Sequence, residues 1–579
     1  MLGRTARKLI YTKKILILAP QKGAFFMRLF LFLVFTFSFF ASFAQTASPG
    51  APLRPPLELT SNFAEYRKTH FHSGIDLRVN NKPDKSVLSI WDGYVSRIRF
   101  NSASYGRAVY ITHPNGYTSV YGHLDSYAQF IDTVVTNYQY KNHVFETDIE
   151  LPEDYLPVKQ GQIIGIAGNS GYSFGAHLHF EIRDTKTQDA LNPLKFYEIT
   201  DNIAPVFKQL IVYSMQKGGY LPAISQAYTV TKRGSYYSPA TEVLVPDTFF
   251  LGFDVQDYVN SSYFRLLPKK IDVFIDDSLV WQIEFDRFAF DQTAACRGVF
   301  DHDAGLNKKM QIVTTYTGNA NRQGFYKKYS NDGLITIPDN NIHVLTVKAG
   351  DTEFNTTEFR ANLKRGNISR PNPNTKNQIH SGYFHDYQTE NVVLKCDTGT
   401  FYGNLALEKP LIVEFFTNNH LAWTIGYTEI PLIKPMTMVF RNDSLISDKT
   451  IFAQMDKHRI INGWKPVKNS NGAYSVSINR PGTFELIDDT IPPTITKANI
   501  PANNNISYLK EFVFTVTDNS DEITRFNAYI NGEWTLMIYD YKYNNFSIPL
   551  SVAQRKTIRT LDVEFIDLAG NITLKSFTF

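Results

Sequence analysis

Short runs of alternating apolar and polar residues, separated by Gly or Asn-Gly turns, dominate the chain from residue 57 onward. Examples in the first third of the sequence are SVLSIWDGYVSRIRF, AVYITHPNGYTSVYGHL and AHLHFEIRD. Such alternation places successive side chains on opposite faces of a strand, and Asn-Gly is a strong signal for a tight hairpin. The pattern predicts an antiparallel, all-β fold, and the abundance of Tyr and Phe suits strands.

A chain of 579 residues is too long for one hydrophobic core, and the second half contains an internal repeat. The segment DNIAP at Asp201 recurs as DTIPP at Asp489, and FDVQD recurs as FTVTD. A turn that ends at Asn355 recurs loosely in one that ends at Asn571. We call this unit the repeated module. Its Pro-marked entry, alternating strands and Asp-rich closing turn predict a β-sandwich of the immunoglobulin type.

The residues between the two copies are also strand-like and open with the turn-rich stretch RPNPNTKN, so they predict a further β-rich unit, the middle module. About three β-sandwich modules therefore follow the first β-domain. The predicted organisation is a leader at 1–44, a linker at 45–56, the first β-domain at 57–200, copy one of the repeated module at 201–365, the middle module at 366–488, and copy two at 489–579.

The leader explains the net charge of +4, because residues 1–44 carry seven Lys or Arg and no acid. From Met27, an alternative start, one Arg precedes an apolar run and small residues before Gln45, which predicts a cleaved secretory signal peptide. An uncleaved anchor is the alternative; no later segment could span a membrane. We expect export to the periplasm or cell envelope. The body lacks a basic patch, which argues against a nucleic-acid partner.

Only two cysteines occur, Cys296 and Cys396. An exported chain of this length with two cysteines is not held together by a disulfide framework. A single bridge between the two remains open.

Two histidines in AHLHFEIRD, His177 and His179, share one face of a predicted strand. Alone, an H-x-H pair is more often structural than chemical. Upstream, FHSGID places His72 and Asp76 four residues apart, also on one face when extended, and Gly74 between them leaves room for a close partner. Two histidines and one carboxylate are enough to hold zinc and leave a fourth position for water.

A further histidine, His123 in VYGHLDS, ends a strand after the hairpin PNGY and is a candidate for the same cleft. Five polar residues on one sheet face are costly to bury unless they bind a ligand or one another. Considered jointly, the five therefore favour a site over ordinary strand residues.

These motifs resemble a known family. HFHSGID, YGHLD, the Gly-Gln of VKQGQIIGIAGNSG and GAHLHFEIRD occur in the order and approximate spacing of the lysostaphin-like (LytM, or M23) zinc metallopeptidases, which cut peptide bonds in bacterial peptidoglycan. The resemblance covers about residues 57–197. It implies one zinc ion, held by His72, Asp76 and His179. It makes His177 and His123 catalytic, with His177 as general base and His123 as donor to the developing oxyanion.

The chain departs from the family pattern at two places. Ala176 stands where a proline is common, and Asp125–Lys159 is longer than in compact members, which leaves the groove and the substrate open. The expected activity is a chelator-sensitive endopeptidase acting on peptidoglycan stem peptides or cross-bridges. Two alternatives remain: a catalytically silent regulator of other wall hydrolases, and a binding protein whose β-modules contact cell-envelope partners.

Nearby aromatic and histidine residues receive plainer interpretations. His70 is expected at the outer groove or in a hydrogen bond rather than as a fourth ligand. His113 and His143 are expected in turns or loops. Tyr172 and Phe174, on a Gly-rich loop, either line a substrate groove or support packing.

Overall fold

The computed structural model describes residues 48–579, except for 81, 218, 261–262, 319–323, 367–371, 373–375, 418–419, 427–429 and 521. The predicted leader and the first residues of the linker lie outside this range. Residues from Pro49 to Phe579 form one compact unit. Within the described residues, none of the helices combines the length and apolar character needed to cross a lipid bilayer.

The first β-domain is built on an antiparallel sheet. In order across the sheet, its strands are Leu59–Ser61, Ile75–Arg78, His177–Asp184, Tyr117–Tyr127, Arg107–Thr112, Gly93–Phe100 and Pro157–Val158. Further strands are Tyr66–Arg67, His70–Phe71, Ser86–Leu88, Thr147–Glu150, Ile163–Ala167 and Ala190–Leu191. The predicted antiparallel β-fold is confirmed for this domain.

Because side chains alternate between the two faces of a strand, core residues and site residues lie on opposite faces of the sheet. Leu178 and Phe180 are fully buried and pack into one hydrophobic cluster with Ile75 and Leu77 of the neighbouring strand. Burying each such side chain stabilises the fold by about 1.5–3 kcal/mol. The residue between Leu178 and Phe180, and Asp76 between Ile75 and Leu77, therefore lie on the opposite face of the sheet.

The long segment Asp125–Lys159 contains an α-helix that the β-rich pattern did not predict. The helix, Gln129–Asn142, buries Ile131 and Val135, which are four residues apart. Thr and Tyr residues, which favour strands, surround these two positions and mask the helical spacing. The segment then adds the strand Thr147–Glu150 to the edge strand Gly93–Phe100.

Copy one of the repeated module forms a long sheet. In order, its strands are Ile312–Thr314, Thr248–Gln256, Val206–Gln216, Tyr220–Arg233, Tyr236–Pro239, Thr356–Arg365, His343–Gly350, Lys270–Ile275, Ser278–Glu284 and Tyr326–Lys328. Short helical turns cover Phe290–Ala295, Cys296–Val299 and Ala304–Lys308.

Among the described residues, each of the two remaining modules contains two antiparallel sheets around an apolar core. In the middle module, the strands of the first sheet are, in order, His385–Gln388, Val392–Cys396, Met436–Phe440, Tyr474–Ile478 and Val467–Lys468. Those of the second sheet are Ile412–Thr417, His420–Ile425, Gly482–Asp488, Thr450–Asp456 and Arg459–Trp464. In copy two, the strands of the first sheet are, in order, Thr494–Ala498, Glu511–Thr517, Asn545–Pro549 and Ile538–Asp540. Those of the second sheet are Glu533–Thr535, Ile523–Ile530, Thr560–Asp567 and Ile572–Thr578. The all-β expectation is confirmed here too. The immunoglobulin type and the domain boundaries stay predictions.

Copy one packs directly against the first β-domain. The ring of Phe71 lies 5.1 Å from that of Phe288 and 5.2 Å from that of Phe325. The strand Ala190–Leu191 pairs with Arg287–Phe288, so backbone hydrogen bonds also join the two units. The first β-domain is therefore held by this module along a shared core rather than connected to it only through the chain.

Copy two contacts the long segment of the first β-domain. Trp534 stacks on His143 with ring centroids 5.0 Å apart and packs edge-on against Tyr140 at 5.4 Å. The Tyr541 hydroxyl donates to the carbonyl of Gly171 at 3.2 Å. The segment Asp125–Lys159 thus serves as a platform for the last module.

Both cysteines are free and buried. Cys296 lies in the core that copy one shares with the first β-domain, and Cys396 lies in the core of the middle module. No bridge joins them in this structure.

Candidate metal centre

The sheet register brings the predicted site residues together. His179 and Asp76 are direct partners on adjacent antiparallel strands, so their side chains emerge side by side from one face. His72 reaches them from the turn before the Ile75–Arg78 strand. Gly74 allows this approach, because a Cβ at that position would lie 2.1 Å from the carbonyl oxygen of Phe180.

Three ligand atoms form a nearly equilateral triangle. Nε2 of His72 lies 3.0 Å from Oδ1 of Asp76 and 3.0 Å from Nδ1 of His179, and the last two atoms are 3.1 Å apart. Tetrahedral zinc with bonds of about 2.0–2.1 Å places its ligand atoms roughly 3.3 Å from one another. The triangle therefore has the size of one face of a zinc tetrahedron, with the fourth corner left open.

Each of the two histidines of the triangle is oriented by a hydrogen bond at the ring nitrogen that faces away from the triangle. Nδ1–H of His72 donates a hydrogen bond to the carbonyl oxygen of Asn62 at 2.8 Å, and Nε2 of His179 lies 2.8 Å from Oε1 of Glu181. Such partners fix the tautomer, leaving the opposite nitrogen as the ligand atom. This is the arrangement expected around a metal-binding histidine.

Glu181 is a functional residue that sequence reasoning missed. It is completely buried and also accepts hydrogen bonds from Ser73 at 2.5 Å, Tyr105 at 2.6 Å and Arg183 at 2.6 Å. Burial alone would raise its pKa, but the charge of Arg183 and the contact with His179 hold the pKa of this carboxyl well below its usual range. Its position two residues after His179, on the same strand face, was the signal available.

The electrostatics of the triangle favour a cation. Burial would raise the pKa of Asp76, yet the neighbouring His72 and the hydrogen bond with His179 hold it well below its usual value. Burial would lower the pKa of His179, but hydrogen bonds with Asp76 and Glu181 raise it to about 9. The two neighbouring carboxylates thus favour a positive charge at this position, which a bound cation would supply.

His177 and His123 flank the triangle, with ring centroids 4.8 Å apart. Nε2 of His177 lies 3.5 Å from Oδ1 of Asp76. The two Nδ1 atoms lie 2.7 Å from the carbonyl oxygen of Gly175 and 2.8 Å from that of Ser170. Because a carbonyl can only accept, both Nδ1 atoms carry the proton, and each Nε2 presents a lone pair.

The neighbourhood keeps both flanking rings neutral. Burial, with the charges of His179 and His177, lowers the pKa of His123 to about 3. Burial also lowers the pKa of His177, although Asp76 opposes the shift. His123 has a left-handed backbone, with φ of 59°, a strained conformation that often occurs at functional positions. With Nδ1 hydrogen-bonded to the carbonyl of Ser170, a neutral His123 presents Nε2 as an acceptor, whereas the imidazolium form would present it as a donor.

The other predicted neighbours fall in different places. His70 is exposed and bonds to Thr69 at 3.0 Å, outside the ligand triangle. Tyr172 and Phe174 are 62% and 90% exposed, which favours groove lining over packing support. His113 lies in the turn between the strands Arg107–Thr112 and Tyr117–Tyr127, as predicted, and is buried there, with its ring nitrogens 2.9 Å from the carbonyl of Asp92 and 2.7 Å from the Ser119 hydroxyl.

A groove of ≈ 1620 Å³ opens over the site. It is lined by the first β-domain together with Arg265 of copy one and Arg480 of the middle module. Lys and Arg outnumber Asp and Glu along the lining. Asp125–Lys159 contributes no lining residue, so the long segment does not shape the groove.

The triangle of two histidines and one aspartate has an open fourth corner and two flanking imidazoles, which is a donor set that suits a catalytic metal ion. Residues 70–140 match the model of peptidase family M23. This part of the chain is therefore similar to the peptidases of family M23. The matched range includes His72, Asp76 and His123, whereas His177 and His179 lie beyond it.

Known proteins show similarity over this region. An uncharacterized metalloprotease of Haemophilus influenzae is 28% identical over 123 residues, 21% of this chain and 20% of that protein. A DD-carboxypeptidase/endopeptidase of Neisseria meningitidis is 26% identical over 160 residues, 28% of this chain and 30% of that protein. The catalytic domain of lysostaphin from Staphylococcus simulans is 21% identical, with a TM-score of 0.18, covering 24% of this chain and 91% of that one. The chain thus spans less than a third of the length of the Haemophilus and Neisseria relatives.

Proposed function

We propose that this protein is an exported, zinc-dependent endopeptidase that hydrolyses peptide bonds in peptidoglycan stem peptides or cross-bridges. The observation that carries the proposal is the triangle of His72, Asp76 and His179, whose ligand atoms lie 3.0–3.1 Å apart. Three nitrogen and oxygen ligands with one open corner are the donor set of a catalytic zinc rather than a structural one. When bound, zinc polarises the scissile carbonyl and lowers the pKa of its water to about 7.

His177 is the proposed general base. Its Nδ1–H is fixed by the carbonyl of Gly175, and its Nε2 lies 3.5 Å from Oδ1 of Asp76. Because burial lowers its pKa, the ring is neutral near pH 7 and can accept a proton from the attacking water. When the C–N bond breaks, the same proton passes from Nε2 of His177 to the leaving amine. Such proton transfer contributes about 10²–10⁴-fold to a rate.

His123 is proposed to position the water. Its Nε2 carries a lone pair, because Nδ1 donates to Ser170, and the ring lies next to that of His177. Accepting a hydrogen bond there would hold the water with its second proton turned toward His123 and its first toward His177. The rigid, strained backbone of His123 keeps this acceptor in place.

The groove supports an anionic peptide as substrate. Arg78, Arg99, Arg265 and Arg480 are among the cationic residues that line it. Peptidoglycan stem peptides carry free carboxylates, and an excess of positive charge in a groove attracts such ligands. The printed name of the Neisseria relative, a carboxypeptidase and endopeptidase, agrees with a peptide substrate.

Export follows from the leader at 1–44, with the mature protein in the periplasm or cell envelope. The outer surfaces of the three modules are then available to cell-envelope proteins. Copy one and the middle module both contribute residues to the groove, so a partner bound to either of these modules would lie on a unit that helps to line the site.

The test is product analysis on purified sacculi. Residues 45–579 are incubated with sacculi, with and without a chelator, and the released fragments are identified by mass spectrometry. We expect new amino termini in the peptide moiety, loss of cleavage with the chelator, and recovery when zinc is restored. Glu146→Gln, a change at an exposed carboxylate bonded to Ser102, serves as matched control and should cleave normally.

Two results would contradict the proposal. Cleavage that continues in zinc-free protein would remove the metal from the reaction. A zinc-loaded chain that binds sacculi but releases no fragment would instead support the silent regulator.

A further inference from the structure

Two clusters of aspartates lie outside the metal centre, one in each copy of the repeated module. In each cluster, one carboxylate oxygen from every residue lies within 4.8 Å of the other two. The clusters consist of Asp201, Asp257 and Asp351 in copy one, and Asp489, Asp518 and Asp567 in copy two.

The clustered residues coincide with the motifs that define the repeat. The first aspartate opens each copy, in DNIAP and DTIPP. The second ends the FDVQD or FTVTD strand, and the third precedes the closing turn that ends at Asn355 or Asn571. The two copies have therefore kept the same three acidic positions, and the fold brings them together in both.

An asparagine fixes the third aspartate in the same way in both copies. The side-chain amide of Asn355 donates to Oδ2 of Asp351 at 2.8 Å and to the carbonyl of Asp201 at 3.2 Å. The amide of Asn571 likewise donates to Oδ2 of Asp567 at 2.8 Å and to the carbonyl of the aspartate that opens its own copy at 3.0 Å. The entry of each module is thereby tied to its closing turn.

The clusters contain buried oxygens that no protein group satisfies. Asp257 is 4% exposed, and its Oδ1 has no hydrogen-bond partner among the residues that the structure describes; the same holds for Oδ2 of Asp489, which is 2% exposed. Oδ1 of Asp518 is also buried and unpartnered. A buried carboxylate oxygen without a partner is costly, so these atoms point to a ligand that the protein itself does not supply.

Like charges surround these oxygens. The carboxylates of Asp201 and Asp351 lie beside that of Asp257, and those of Asp489 and Asp567 lie beside that of Asp518. Three converging carboxylates repel one another unless a cation lies between them.

We propose that each copy of the repeated module binds one Ca²⁺ ion through its three aspartates. The donors are all oxygen, which Ca²⁺ prefers, whereas zinc selects nitrogen and sulfur. Calcium bonds of about 2.3–2.6 Å allow two ligand oxygens to lie up to roughly 5 Å apart, so carboxylates within 4.8 Å fit around one ion. Water completes the six to eight ligands.

The proposed ions would stabilise the entries of the modules. Asp201 directly follows the first β-domain, and Asp489 directly follows the middle module. An ion bound at either residue links the incoming chain to a strand end and to the closing turn of the same copy. Since Ca²⁺ would bind the folded module only, it would raise the temperature of unfolding.

The test is a calcium titration of residues 45–579, stripped with EGTA and followed by calorimetry. We expect two Ca²⁺ per chain, one after either Asp257→Asn or Asp518→Asn, and none after both. Asp386→Asn, at an exposed aspartate of the middle module, is the matched control and should still bind two.

A stoichiometry below two for the unmodified chain, or two retained by either single variant, would overturn the proposal. If circular dichroism shows that a variant does not fold, the unfolding midpoint of the unmodified chain still tests the proposal. About 1 mM CaCl₂, the range in which extracellular calcium modules bind, should raise its unfolding midpoint relative to EGTA. An unchanged midpoint would overturn the proposal.

Discussion

Replacing Glu181 by Gln is expected to weaken metal binding although the residue touches no metal. The substitution keeps the shape of the side chain and removes its charge. Glu181 accepts from His179, Ser73, Tyr105 and Arg183, with every donor–acceptor distance between 2.5 and 2.8 Å. The neutral amide can accept through only one oxygen and would turn an NH₂ group toward some of these donors.

Two magnitudes follow from these contacts. Loss of a partner that orients a metal-binding histidine costs 10–100-fold in metal affinity, or about 1.4–2.7 kcal/mol. Arg183, 5% exposed, would lose its buried carboxylate, and breaking a buried ion pair costs about 3–5 kcal/mol of folding free energy. We therefore expect both a weaker zinc site and a lower unfolding midpoint.

The assay separates the two effects. Zinc affinity is measured by competition with a chromophoric chelator at a temperature well below the unfolding midpoint of the variant. Tyr105→Phe removes one donor to Glu181 but leaves the charge, so its zinc affinity should fall less than that of Glu181→Gln. Glu146→Gln should leave both quantities unchanged. A folded Glu181→Gln variant that binds zinc within twofold of the unmodified chain would refute the role given to this carboxylate.

Three further predictions concern separate parts of the chain. His177→Ala should retain its zinc, measured by elemental analysis, and lose at least 100-fold in kcat; a variant that keeps its turnover would exclude His177 as the base. Burial lowers the pKa of His113 to about 4, below the 6.5 of an unfolded histidine. The unfolded chain therefore binds the proton first, and stability should be full above pH 6.5 and fall by up to about 3 kcal/mol toward pH 4. Urea unfolding of His113→Gln should show a weaker dependence over this range, and an unaltered dependence would contradict the assignment. Trp534→Ala removes the ring that stacks on His143 and should speed limited proteolysis of the last module; equal cleavage rates would show that this contact does not hold the module.

The sequence predicted the parts of the structure that local patterns encode. Alternation identified the strands, and the spacing of His72, Asp76, His177 and His179 placed their side chains on shared faces. The antiparallel register makes Asp76 and His179 direct partners, so two short motifs far apart in sequence meet in the fold. The choice of His179 over His177 as a ligand came from the family resemblance and not from the spacing.

The parts that were not predicted depend on contacts between distant residues or on weak local signals. The helix Gln129–Asn142 has only a narrow apolar stripe among residues that favour strands. Tyr105, which stacks on His179 with ring centroids 5.0 Å apart, carries no motif. The stacking of Trp534 on His143 joins residues nearly four hundred positions apart, and periodicity contains no information about such a pair.

Zinc content of the purified chain, residues 45–579, at neutral pH tests the central claim most directly. The account predicts one zinc ion per chain, retained by His177→Ala and lost by His179→Ala, because His179 contributes an atom to the ligand triangle and His177 does not. A chain without zinc at neutral pH, or a His179→Ala variant that keeps a full complement, would contradict the account.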